Sequence, residues 1–177
     1  MTVGSRKKSS RHSKIVGDFA EALVLYWLSK YGYECARVDH TGIDLIARAP
    51  KEVMGISVKC RDRYDHREKA SINLPADGFD KARKACDAFG CVPYYAIVVD
   101  TTSSIRCFVL SLEHLEGVTG GTQGGQRYWR MGGKDILRYA DDPQIQGFVL
   151  QTENCSWRES MLSLAHEQTI ALPDSNC

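Results

Sequence analysis

Glu21, Asp44 and the triplet Ser57-Val58-Lys59 hold residue types from which a phosphodiester-cleaving centre can be built. A carboxylate can hold Mg²⁺, a hard ion that takes oxygen ligands and is usually bound by one or two carboxylates plus substrate phosphate. The ion polarises a phosphoryl oxygen and lowers the pKa of the attacking water. A lysine beside it orients that water or stabilises the charge that develops on the phosphorane. Strand parity supports the grouping. Asp44 lies on the face opposite Ile43 and Leu45, and Ser57 shares a face with Lys59 opposite Ile56 and Val58. If the two strands form a hairpin, Asp44 and Lys59 point to the same side.

Each residue also has a plainer reading. Asp44 could be a polar residue of an edge strand, although a strand interior disfavours Asp without a partner or metal. Lys59 could snorkel from a sheet edge. Glu21 sits at the rim of an apolar helix stripe, near Leu25 and Leu28, and could face either sheet or solvent. His40, just before Asp44, could contact phosphate or be an incidental loop histidine.

The elements that must carry these residues follow from periodicity. The spacing of Ala20, Leu23, Val24, Trp27 and Tyr31 predicts a helix over Val16 to Tyr31, ended by Gly32. Strands are expected over Tyr33 to Val38, Gly42 to Ala49 and Val53 to Cys60, with a turn at Pro50-Lys51-Glu52. Arg61 to Ala76 reads as a loop. Phe79, Ala82, Cys86 and Phe89 form the stripe of a helix stopped by Gly90. Val92 to Val99 is a continuous apolar run, as in a strand buried on both faces, and Ile105 to Leu112 is a further strand. Gly117 to Gly133 is glycine-rich and reads as a flexible loop or hairpin excursion; without a Gly-Lys-Ser/Thr ending it is no P-loop. Within it, Tyr128, Trp129 and Arg130 could stack on bases or form a hydrophobic anchor. Lys134 to Tyr139 reads as a short helix, Gly147 to Gln151 as an edge strand, and Glu159 to Glu167 as a helical stretch. The order of elements implies an α/β (α+β) architecture, a mixed central sheet flanked by helices.

Composition sets the outer bounds. The chain has 177 residues, 43% of them hydrophobic and 25% charged, as in an ordinary globular protein long enough to bury one core. No apolar run approaches the roughly 20 residues that span a bilayer, and no apolar segment follows the basic N-terminus to make a signal peptide; a cytoplasmic protein is expected. The seven cysteines read as free, largely buried thiols. Cys86 and Cys91 have no second Cys or His pair with which to bind zinc. Net charge is only +1, but it is unevenly spread. Residues 1–14 form a basic arm carrying Arg6, Lys7, Lys8, Arg11 and Lys14, and reading as disordered over Met1 to about Ser13. A second basic cluster runs through Lys59, Arg61, Arg63, His66, Arg67 and Lys69. Arg61 and Arg63 are therefore candidate phosphate contacts.

The segments GDFAEALVLYWLSKYGY, GIDLIA and GISVKCRDR, in that order, resemble the PD-(D/E)XK nuclease superfamily, especially its Holliday-junction-resolvase-like and restriction-endonuclease-like branches. The resemblance covers Val16 to about Leu112, leaving 113–177 as an extension packed on the same domain. It implies a restriction-endonuclease-like fold with Glu21, Asp44 and Lys59 at the centre, Asp44 and Glu21 as metal ligands, and Ser57 where the acid of the acid-x-Lys pair is expected. It also implies Mg²⁺ or Mn²⁺ as cofactor, DNA as partner and a possible homodimer. A neutral hydroxyl at position 57 predicts low metal occupancy. The charge could be restored by a migrated acid, with Glu68 the nearest candidate in the following loop. Three readings follow. The chain is a Mg²⁺-dependent DNA endonuclease, a catalytically impaired nucleic-acid-binding module of the same fold, or a protein-interaction domain in a phage-defence or toxin setting.

Overall fold

The computed structural model describes residues 9–63, 71–121 and 123–152. The basic residues before Ser9, the loop residues His66, Arg67, Glu68 and Lys69, and the expected helix at Glu159 to Glu167 lie outside them. In chain order the elements are α1 (His12–Lys30), β1 (Glu34–His40), β2 (Ile43–Arg48), β3 (Val53–Asp62), β4 (Ile72–Pro75), α2 (Ala76–Phe89), β5 (Val92–Asp100), β6 (Ser104–Ser111), α3 (Leu112–Thr119), β7 (Gln126–Trp129), α4 (Gly133–Asp141) and β8 (Gln146–Gln151).

Six strands form the central sheet in the order β1-β2-β3-β5-β6-β8. Only β3 and β5 run parallel; the other neighbours are antiparallel. A parallel pair needs a crossover, and β4 with α2 supplies it. The strand expected from the unbroken run at Val92 is β5, which alternates between two cores. Ala96 and Val98 face Ala20, Val24 and Leu28 of α1. Tyr95, Ile97 and Val99 face Phe79 and Ala82 of α2 on the other side. The mixed sheet with helices on both faces is the architecture the sequence implied.

Several boundaries differ from the sequence reading, each for a reason outside local pattern. Helix α1 begins at His12, inside the segment read as a disordered arm, because the His12 imidazole bonds the Asp62 carboxylate at the end of β3, 2.9 Å away. Tyr31, expected on the buried face, caps the helix with its ring exposed. The turn at Gly32 (φ 84°) then closes the helix as expected, with the Tyr33 N–H donating back to the Leu28 carbonyl. Phe89 also points outward, and Gly90 caps α2 in the left-handed region. His40 belongs to β1 rather than to a loop, and its ring meets that of Phe89 edge-on at 5.1 Å.

The largest correction concerns a segment read as a loop and one read as a flexible loop or hairpin excursion. Ile72–Pro75 and Gln126–Trp129 pair with each other as a separate two-stranded sheet, from Ile72↔Trp129 to Pro75↔Gln126. Trp129 is fully buried there, with its ring 4.0 Å from that of Tyr139 in α4 and 5.3 Å from that of Phe108. It is a hydrophobic anchor and has no exposed face on which a base could stack. Helix α3, which the sequence reading lacked, starts at Leu112, the last residue of the expected strand. Its N-cap Ser111 accepts a hydrogen bond from the His114 N–H. Among the described residues, no helix is long and apolar enough to cross a membrane.

Candidate active site

The β2–β3 ladder runs from Arg48↔Val53 to Leu45↔Ile56. One residue further on, the Asp44 carboxylate takes over the backbone's role, accepting the Val58 N–H at 2.6 Å. The side chain thus completes the pairing where the strands part, and this fixes the carboxylate at the opening. Parity puts Ser57 and Lys59 on the same face. The Lys59 ammonium donates to Ser57 Oγ at 2.8 Å and to the Val58 carbonyl at 3.2 Å, and lies 4.0 Å from Asp44 Oδ2. Burial lowers the Lys59 pKa, an effect that the Asp44 charge opposes, Arg61 reinforces and Glu21 opposes.

The parallel neighbour adds a wall. Tyr95 on β5 is in register with Ser57, and its buried ring lies 5.9 Å from the Lys59 ammonium. Burial raises the Tyr95 pKa, while its hydrogen bond with Ser57 works the other way. Helix α2 forms the roof. It comes close because two glycines leave room. A Cβ on Gly42 (φ 108°) would overlap the Lys81 carbonyl, and one on Gly78 would sit 3.2 Å from the Tyr95 hydroxyl. The resulting cleft, about 320 Å³, is lined by Gly42, Asp44, Ser57, Lys59, Leu74, Pro75, Asp77, Gly78, Lys81 and Tyr95.

The structure therefore brings together Asp44, Ser57 and Lys59. Glu21 does not line this cleft; its carboxylate is bound by Arg37 of β1 at 2.5 Å, although its charge still reaches Lys59. Arg61 donates to the carbonyls of Cys60 and Asn73, and Arg63 to that of Ser71, so both guanidiniums tie β3 to the segment leading into and along β4. Neither they nor His40 line the cleft. Sequence reasoning missed Tyr95, Asp77 and Lys81. Asp77 is held by Lys81 at 2.6 Å, and that contact lowers its pKa. The i, i+4 spacing of Asp77 and Lys81 was visible, but it signals an ordinary helix pair. Nothing in it says that the pair overhangs a site.

Among the described residues, no three His, Cys, Asp or Glu side chains gather in a way that could hold a metal ion. The oxygens that converge at the opening are those of Asp44, Ser57 and the Val58 carbonyl. One carboxylate with neutral oxygens, completed by substrate phosphate, is a donor set that suits a hard divalent ion. It is a sparse set, with a single charge.

Hjc, a Holliday junction resolvase from the archaeal hyperthermophile Archaeoglobus fulgidus, matches with a TM-score of 0.51 at 19% identity, over 69% of this chain and 88% of that one. The fold is restriction-endonuclease-like. A restriction endonuclease in complex with substrate DNA also matches, with a TM-score of 0.39 at 11% identity, over 93% of this chain and 85% of that one. No family profile matches the chain, and no curated protein does. Within this fold, the parting of β2 from β3 puts Asp44, Ser57 and Lys59 together at one opening.

Proposed function

We propose that this chain hydrolyses phosphodiester bonds of DNA at the Asp44–Lys59 cleft, with Mg²⁺ or Mn²⁺ as cofactor. The observation that carries this reading is the anchoring of Asp44 on the Val58 N–H, which fixes a carboxylate 4.0 Å from the Lys59 ammonium in an open cleft. Bound there, the ion would supply Lewis acidity toward the phosphoryl oxygen. Asp44 and the Val58 carbonyl would hold it, and Glu21 would assist once released from Arg37. Lys59 orients the attacking water or meets the charge that grows on the phosphoryl oxygens. The guanidiniums of Arg61 and Arg63 supply positive potential along the approach of the backbone.

One observation favours a second reading, a nucleic-acid-binding module without hydrolysis. Ser57 is 2% exposed and bonded to Lys59, so the position of the expected acid is filled by a settled, uncharged group. Incubating the protein with supercoiled, linear and branched DNA in Mg²⁺ or Mn²⁺, beside Lys59→Ala and Asp44→Asn, separates the two. Hydrolysis requires metal-dependent cleavage that both substitutions remove. Binding with no cleavage in any arm establishes the second reading, and cleavage that survives both substitutions disposes of this cleft as the site.

Ser57→Asp adds the missing charge beside Lys59. It is expected to lower the Mg²⁺ concentration for half-maximal cleavage on the order of tenfold, since a second carboxylate strengthens a hard-ion site. A Mg²⁺ titration of plasmid nicking measures this, and an unchanged midpoint would show that position 57 does not face the ion.

A further inference from the structure

We infer that the Lys59 ammonium is the resident cation of this cleft, and that a divalent ion reaches its oxygens only after a nucleic-acid phosphate has drawn that ammonium away. The inference rests on the reading of the cleft as a metal-supported phosphodiester site and specifies the order in which its occupants arrive.

Ser57 Oγ at 2.8 Å, the Val58 carbonyl at 3.2 Å and Asp44 Oδ2 at 4.0 Å all surround the same nitrogen. These are the oxygens that converge where the strands part, so the lysine and a divalent ion compete for one set of donors. An ammonium has three donors and no acceptor, and it satisfies the oxygens about as a hard cation would. Two cations cannot share the set at such distances without strong repulsion.

Charge decides the outcome. With a carboxylate at position 57, the cleft floor would carry two negative charges, leaving one to attract an ion after the lysine is balanced. With Ser57 it carries the one charge of Asp44, and Lys59 balances it. Asp77 in the cleft roof does not alter this, because Lys81 holds it at 2.6 Å. Among the described residues, the free cleft thus offers a divalent ion little net attraction. A DNA phosphate brings a new negative charge and new oxygens, and the long lysine stem lets the ammonium swing to them. Asp44 is then left without its counter-charge, and a metal ion can replace it.

The test uses the full chain and Mn²⁺, with free ion followed by electron paramagnetic resonance. The parent protein alone is expected to deplete the free Mn²⁺ signal weakly. Adding a short phosphorothioate duplex should deepen the depletion beyond that of protein and duplex measured separately. Lys59→Met, which keeps the stem and removes the charge, should bind Mn²⁺ without DNA at least about tenfold more tightly than the parent. The double variant Lys59→Met/Asp44→Asn should lose that gain. Lys59→Gln serves as a second variant if Lys59→Met does not fold by circular dichroism. Equal Mn²⁺ affinity in parent and lysine variants, or a gain that survives loss of Asp44, overturns the inference. The two proposals fail separately. A parent protein that cleaves DNA and binds Mn²⁺ equally well with or without duplex refutes only the order of arrival. A Lys59→Met gain in a protein that never cleaves refutes only hydrolysis.

Discussion

Asp44→Asn is expected to lower metal-supported DNA cleavage by at least about a hundredfold, while the melting temperature stays within a few degrees of the parent's. The two halves of this expectation separate the two tasks of one side chain. Asp44 completes the β2–β3 pairing by accepting the Val58 N–H at 2.6 Å, and an asparagine carbonyl oxygen can accept the same bond. The fold should therefore survive. The negative charge is lost, and with it the one carboxylate that, among the described residues, touches the cluster of Ser57, Lys59 and the Val58 carbonyl. Removing one well-placed electrostatic group from a catalytic centre typically costs about 10²–10³ in rate. Nicking of supercoiled DNA gives the first quantity and a thermal melt the second. Undiminished cleavage would remove Asp44 from the reaction, and a collapse in melting temperature would make its role structural.

The second large effect is on stability. Gly42→Ala should destabilise the protein by about 2–4 kcal/mol, combining the cost of overpacking with that of a left-handed backbone. Gly42 has φ 108°, and an added Cβ would overlap the Lys81 carbonyl. That carbonyl belongs to helix backbone, so it cannot swing away as a flexible side chain would. At roughly 2–4 °C per kcal/mol for a domain of this size, the melting temperature should fall by about 5–15 °C. A thermal melt followed by circular dichroism checks this. An unchanged melting temperature would mean that α2 is not held against the β1–β2 turn.

Much of the cleft was legible in the sequence, because its floor is built from nearby residues of a hairpin. Parity alone placed Asp44, Ser57 and Lys59 on one face, and the short turn at Pro50 to Glu52 brought their strands together. The roof and the β5 wall were not legible. Asp77 and Lys81 form an unremarkable helix pair, and Tyr95 lies in an apolar run that shows no alternation. Only the crossover between β3 and β5 sets Asp77 and Lys81 over the hairpin and Tyr95 beside it. The β4–β7 ribbon was missed for a related reason: each strand has four residues, and each finds its partner far along the chain. Ile72 and Leu74 do alternate, but two apolar residues beside a proline are too few to outweigh their polar surroundings. Glu21 shows the limit of helix periodicity, which located it at the rim of α1 but could not foresee that Arg37 of β1 would take its carboxylate.

The division between floor and roof bears on how the cleft opens. The contacts among Asp44, Val58 and Lys59 all lie between Ile43 and Asp62, whereas Asp77, Lys81 and Tyr95 come from the far side of the crossover. Local units of a fold open independently, with free energies below that of global unfolding. A fluctuation that lifts α2 would thus unroof the cleft and leave the hairpin's hydrogen bonds in place. In amide exchange, the Val58 N–H should outlast the amides of α2, and a bulky substrate could enter through that opening without any loss of the charged cluster it has come to meet.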